Sequence, residues 1–237
     1  MPPTYPLRAA LADAAQRWQQ TITALPDDDF ALPSGLPGWT RGHVIAHVAL
    51  NGEAFLRVLR LSAAEQPASM YDSAEGRDAD IDALALAAPA EIRARAIAVD
   101  GDIADALCAL PETGLDAVAH RLPEGGGFAF AVREVPRRRL GEVEIHHADL
   151  GLPDRGRDAW PLAFSELLLE SRSPAHRDLR FAATDTGRTW GAEAVAGDAE
   201  PVTLTGTSAD LAWWLIGRGT GDGLTSSSGE VPPPPTY

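Results

Sequence analysis

Two stretches of this chain, about a hundred residues apart, each place two metal-binding side chains four residues apart within a helical pattern. The first reads Gly38-Trp39-Thr40-Arg41-Gly42-His43-Val44-Ile45-Ala46-His47 and pairs His43 with His47. The second reads Leu140-Gly141-Glu142-Val143-Glu144-Ile145-His146-His147-Ala148-Asp149-Leu150-Gly151 and pairs Glu142 with His146. Side chains at i and i+4 leave one helix face with Cβ atoms roughly 5–6 Å apart, so each pair can reach a single ion. If the pairs serve one site, two helices distant in sequence must lie side by side, as they do in a bundle.

The surrounding pattern agrees with a bundle. Leu7, Leu11, Ala14, Trp18 and Ile22 recur at three- and four-residue spacing and predict a helix that ends before Pro26. Thr40 is placed to cap a second helix running to about residue 61. A polar, irregular connection is expected over 62–80. A third helix follows Pro89, with Ile92, Ala96, Val99, Ile103, Ala106 and Leu107 on one face. A turn is expected at 123–127, and a fourth helix runs from near Pro136 to Leu150-Gly151, with Pro153 beyond.

At about 100° per residue, Val44, Val48, Asn51, Phe55 and Val58 form the core stripe of the second helix, with His47 about 60° and His43 about 100° to its side. On the fourth helix the stripe is Leu140, Val143, His147 and Leu150, flanked by His146 at about 60° and Glu142 at about 100°. Two readings remain open on spacing alone. One is a metal site at the edge of the bundle. The other assigns ordinary roles: satisfied core histidines, His43 in the capping network, and Glu142 in a salt bridge with Arg138.

Past Gly151 the pattern shifts to a small α/β unit. A helix is expected over 158–171, short strands over 179–183, 188–192 and 202–205, and a last helix over 209–217 capped by Ser208. Hairpin-length turns such as Asp185-Thr186-Gly187 predict an antiparallel sheet. The organisation expected is therefore a helical domain over 1–151, an α/β domain over 152–218, and a Gly/Ser/Pro-rich tail over 219–237, disordered or extended on the surface.

A net charge of −14 makes nucleic acid and anionic membrane poor partners. No apolar run approaches the roughly 18–20 residues of a membrane span, and the N-terminal residues show no signal-peptide pattern. The single cysteine, Cys108, cannot form an internal disulfide, which suits a reducing cytoplasm. Its place in the apolar run 103–110 predicts a buried, inert thiol.

The Gly38-Trp39-Thr40 segment with the second histidine of its motif, together with the segment from Glu142 to Gly151, resembles the mycothiol-dependent maleylpyruvate isomerases, a family of DinB-like metal-binding four-helix bundles. Leu211-Ala212-Trp213-Trp214-Leu215-Ile216-Gly217-Arg218 is similar to that family's final helix. The resemblance implies an α+β fold: a DinB-like four-helix bundle followed by a small α/β domain with a short antiparallel sheet. It implies a site for Zn2+ or another divalent metal held by His47, Glu142 and His146, with His43 and His147 outside the ligand set and Glu144 facing solvent. It also implies mycothiol as thiol cosubstrate and cis–trans isomerisation of maleylpyruvate by thiolate addition, rotation and elimination. Arg218 matches a family arginine implicated in substrate handling. Arg139, three residues before Glu142 and about 40° from the core direction, is expected to orient that ligand or hold substrate. All 20 basic residues are arginine, a composition suited to the GC-rich actinobacteria that make mycothiol. The expected partners are a small-molecule thiol and an electrophilic, possibly dicarboxylate, substrate, with the protein a cytoplasmic monomer or weak dimer. The alternatives are a mycothiol S-transferase acting on another electrophile, or a non-catalytic metal-binding module.

Overall fold

In the computed structural model the described residues are 4–193 and 200–236. The chain forms two compact units, Met1–Pro153 and Asp154–Tyr237. Four long helices build the first: α1 (Thr4–Ala24), α2 (Arg41–Ala63), α4 (Pro89–Ala109) and α6 (Val135–Asp149). α2 packs on α4 and α6, and α1 packs on α6 and α4. Their facing stripes supply the core: Trp18 and Ile22, Val44, Ile45, Val48 and Val58, Ile92, Ala96 and Val99, and Leu140 and Val143. Each large apolar side chain buried there contributes about 1.5–3 kcal/mol relative to exposure. Gly52 allows α2 to approach its neighbours, since a Cβ there would lie 2.9 Å from Val99 Cγ1 and 3.0 Å from Arg139 Nη2.

The start of α2 is fastened to the end of α6. Thr40 caps α2, its Oγ1 accepting from His43 N at 3.3 Å. Arg41 donates from Nε to the Leu150 carbonyl at 3.1 Å and from Nη1 to Asp29 Oδ2 at 2.8 Å. Gly35 N donates to the Asp149 carbonyl at 2.7 Å. Gly151, at φ 67°, lets the chain leave α6, and a Cβ there would crowd Gly35 N at 3.2 Å. With these contacts the second turn of α2 faces the last two turns of α6.

The connection expected to be irregular over 62–80 holds structure. It contains β1 (Ala68–Ser69) and the start of α3 (Ala74–Ala85), capped by Ser73 Oγ, which accepts from Gly76 N at 2.9 Å. α3 escapes a periodicity search because Ile81 and Leu84 are its only buried residues. After α4 come the short α5 (Glu112–Leu115), β2 (Val118–His120) and β3 (Ala129–Ala131). β1 pairs parallel with β2, and β2 pairs antiparallel with β3. Strands this short carry no readable alternation.

The second unit contains α7 (Leu162–Arg172), β4 (Leu179–Ala183), β5 (Thr189–Gly191), β6 (Val202–Gly206), α8 (Ser208–Leu215) and β7 (Thr225–Ser226). Its sheet runs in the order β5-β4-β6-β7. The sheet is mixed rather than antiparallel throughout. β4 pairs antiparallel with β5 and β6 with β7, but the central β4–β6 pair is parallel. The reason lies in the register: β5 ends beside the start of β4 (Arg180 opposite Gly191), where β6 also begins (Leu179 opposite Val202). β5 and β6 flank β4 on opposite sides, and β6 starts at the end where β5 stops, so it runs parallel to β4. α7 begins at Leu162, after a 3-10 turn at Arg157–Ala159, and the cap of α8 is Thr207, whose Oγ1 accepts from Asp210 N at 3.1 Å. Ser208, expected as that cap, is buried and bonds Asp185 Oδ1. Of the two states expected for the tail, the structure has the ordered one: β7 joins the sheet, and Trp214 Nε1 donates to the Pro232 carbonyl at 3.1 Å.

Candidate metal centre

His47, in the second turn of α2, meets Glu142 and His146 of α6. His47 Nε2 lies 3.1 Å from His146 Nε2 and 3.2 Å from Glu142 Oε2, and His146 Nε2 lies 3.4 Å from the same oxygen. Among the described residues, this is the cluster of three or more His, Cys, Asp and Glu side chains whose geometry could hold a metal ion. Ligand atoms at about 2.0–2.1 Å from a tetrahedral zinc ion stand roughly 3.3–3.4 Å from one another, so the triangle has the dimensions of one face of such a site. The side chains of His47, His146 and Glu142 are 7%, 14% and 31% exposed, which leaves the carboxylate corner the most open. The residues fit a divalent metal.

The surroundings prepare the ligands. His146 Nδ1 is 2.9 Å from Oδ2 of Asp149, a carboxylate only 2% exposed. As acceptor, Asp149 holds a proton on Nδ1, so Nε2, turned toward the cluster, is the nitrogen that would bind a metal on losing its own proton. Asp149 follows His146 by one helical turn, and that spacing was legible, but attention to ligands alone passes over it. The Trp39 ring packs edge-on against His47 at 5.6 Å. Burial lowers the pKa of His47, and the charge of His146 adds to the effect against the attraction of Glu142. For Glu142, burial is the largest influence and pushes upward, but hydrogen bonds and charge from His146 and His47 hold its carboxyl well below the usual range. Burial also opposes the charged form of His146, yet Asp149 and Glu142 raise it to about 9.

Arg77 was not anticipated. α3 brings its Nη2 to 3.2 Å from His47 Nδ1, while Nη1 donates to Asp78 Oδ1 at 2.6 Å and the guanidinium lies 5.7 Å from the Tyr71 ring centre. Arg77, Tyr71, Ser73, Arg57 and Asp80 also line a cavity of about 340 Å³.

The other residues singled out in the sequence lie elsewhere. His43 serves the α2 cap, its Nδ1 accepting from Thr40 N at 3.3 Å, and it does not join the cluster. His147 is buried on the other side of α6, bonded to Thr21 Oγ1 at 2.8 Å, with Trp18 edge-on at 5.6 Å. Arg139 does not orient Glu142. It is fully buried, donating to Asp100 Oδ1 at 2.9 Å, the Val48 carbonyl at 2.7 Å and Asn51 Oδ1 at 3.3 Å. A buried guanidinium needs such a set of acceptors, so the core commits Arg139 away from the site. Glu144 is buried rather than exposed and forms an ion pair with Arg17, because α1 covers the far side of α6. Cys108 is exposed rather than buried: Ile103 and Leu107 face the core, and the next position turns outward. Arg218 follows α8 in the second unit, its Nη1 3.4 Å from the Ile216 carbonyl.

Two crystal structures of mycothiol-dependent maleylpyruvate isomerase, one of them a histidine-to-alanine mutant, superpose with TM-scores of 0.85 and 0.86. Each is 24% identical in sequence, and each alignment covers 100% of this chain and 98% of the other. The likeness establishes a shared fold. No curated protein matches the sequence. The family model described as the mycothiol maleylpyruvate isomerase N-terminal domain matches residues 11–151, a span that holds all three members of the cluster. As that match takes in more than half of the sequence, the chain belongs to the mycothiol maleylpyruvate isomerase N-terminal domain family.

Proposed function

We propose that the protein is a zinc enzyme that uses mycothiol to convert maleylpyruvate into fumarylpyruvate. The observation that carries this reading is the triangle of His47, Glu142 and His146, with edges of 3.1–3.4 Å, inside the region matched to the family. Two imidazoles and one carboxylate leave a fourth position open, as in catalytic rather than structural zinc sites. A zinc ion held there would lower the pKa of a thiol in that position and so supply a nucleophilic sulfur near neutral pH.

The chain's own residues prepare that chemistry. Asp149 fixes the tautomer of His146, Glu142 stays ionised, and Trp39 shields the His47 ring. Cys108 sits on α4, which contributes none of the three ligands, and the reading assigns the reacting sulfur to the cosubstrate. A reducing cytoplasm suits such a thiol. The reaction balances without an oxidant. The thiolate bonds to one carbon of the cis double bond, and the electron pair moves onto the conjugated carbonyl as an enolate. Rotation about the new single bond follows. The pair then returns, the carbon–sulfur bond breaks, and the trans product leaves with the thiolate regenerated. Arg218, matched to the family's final-helix arginine, is proposed to handle the substrate.

The test incubates zinc-loaded protein with mycothiol and maleylpyruvate and follows fumarylpyruvate. Turnover that His47→Ala abolishes together with zinc content supports the reading. No turnover by fully loaded protein, with thiol still conjugated to a generic electrophile, would replace it with an S-transferase. Arg218→Ala is expected to lower turnover at unchanged zinc content.

A further inference from the structure

Arg77 has an unusual partner. A guanidinium has only N–H donors, so His47 Nδ1, 3.2 Å from Arg77 Nη2, must accept, and the hydrogen of that imidazole then sits on Nε2. Nε2 is the nitrogen turned toward His146 and Glu142. If a divalent ion takes Nε2, the hydrogen moves to Nδ1, where it faces the Arg77 donor. Two donors and two cationic centres then oppose each other. Arg77 cannot support His47 as a metal ligand in the way Asp149 supports His146.

Its remaining partners are the Tyr71 side chain and Asp78, which is 67% exposed, and an ion pair to an exposed carboxylate is worth about 0–1 kcal/mol. The other arginines on the cavity wall also hold carboxylates, Arg57 that of Asp72 at 2.7 Å and Arg95 both oxygens of Glu53. Arg77 is the cavity arginine whose guanidinium also reaches the cluster. A planar guanidinium released beside a metal site is matched to a carboxylate, which accepts two parallel hydrogen bonds from it. An oxygen of the same carboxylate can also accept from the His47 Nδ1 hydrogen.

We propose that Arg77 is the residue that anchors a carboxylate of the substrate beside the metal, freed for that role when His47 becomes a ligand. The proposal rests on the zinc isomerase reading for its choice of a cis-dicarboxylate, and maleate serves as the probe. Titration calorimetry measures maleate binding to zinc-loaded protein, and competition with a chromophoric chelator measures zinc affinity. Arg77→Gln is expected to weaken maleate binding at least tenfold and Arg77→Lys by less, while the neutral diamide of the same acid binds both variants like the wild type. Zinc affinity of Arg77→Gln is expected to stay equal or rise, because a cation beside the ion has been removed.

A tenfold loss of zinc affinity in Arg77→Gln, with unchanged maleate affinity per bound zinc, would overturn the proposal in favour of a supporting role. So would failure of the zinc-loaded wild type to bind maleate. The two readings can fail separately. Arg77-dependent maleate binding without turnover of maleylpyruvate removes the isomerase, and turnover unaffected by Arg77→Gln removes the anchor.

Discussion

Asp149 shows how one carboxylate sets the state of a neighbouring imidazole. Because it accepts from His146 Nδ1 at 2.9 Å while almost fully buried, it determines which nitrogen of His146 is free for a metal. Asp149→Asn keeps an acceptor but loses the charge, and it is expected to weaken zinc binding about tenfold. Asp149→Ala removes both and is expected to approach a hundredfold. Chelator competition on the folded variants measures this, and unaltered affinity would exclude Asp149 from the site. At this scale the sequence was legible wherever one helix carries the whole signal. The pairs His43/His47 and Glu142/His146 stood out because i, i+4 spacing is a property of a single helix, whereas the choice of His47 over His43 came from the family resemblance. Glu144 and Cys108 were misjudged because a helical wheel gives the angle to its own stripe, not what covers the opposite side. α1 covers Glu144, and burial pushes its carboxyl pKa up by more than Arg17 lowers it. Arg77 had no local signal, since its importance comes from where α3 lies.

The four bundle helices meet at a buried polar knot. Arg139 of α6 bonds Asp100 of α4 and both the Val48 carbonyl and Asn51 of α2, while Gln19 of α1 donates to Asp100 Oδ2 at 3.3 Å. Arg139→Met or Asp100→Asn strands one buried charge and is expected to cost about 3–5 kcal/mol in urea unfolding. The double substitution is expected to cost clearly less than the sum, as for any coupled pair. Strict additivity would show that the knot is not an energetic unit. The start of α6 offers a pH-dependent case. Glu134 accepts from Ala131 N at 3.3 Å, Arg137 Nη2 at 3.1 Å and Arg138 Nη2 at 3.0 Å. Burial pushes its pKa up, but Arg138, the backbone donor and Arg137 together bring it below the ordinary value of 4.5. A carboxyl depressed on folding contributes stability that is fully present above its unfolded pKa and is lost as pH falls through the folded one. Glu134→Gln is therefore expected to cost about 1 kcal/mol at pH 7 and progressively less below about pH 4.5. A cost that stays constant down to pH 3 would contradict this. Long helices were legible as elements because fifteen or more residues average out local noise. α3 and the three-stranded sheet were not, since two buried residues or a three-residue strand make no periodic signal.

For the molecule as a whole, the decisive fact is that the three candidate ligands converge only when α2 and α6 are packed. Residues 47 and 146 are far apart along an unfolded chain, so an ion gripped by all three binds the folded first unit and not its unfolded ensemble. Linkage then requires the ion to stabilise that unit, by about 2.7 kcal/mol when free zinc stands at a hundred times its dissociation constant. The second unit supplies none of the three ligands, so its stability has no direct dependence on zinc. Native-state hydrogen exchange separates the two units. Added zinc is expected to slow exchange of core amides in α2 and α6, such as Val48 and Val143, by up to about a hundredfold. Amides of β4 and β6, such as Phe181 and Leu204, should exchange as before, and His47→Ala should erase the difference. Equal slowing in both units would mean that they unfold as one cooperative block. Slowing confined to the second unit would place the ion outside the His47, Glu142 and His146 triangle.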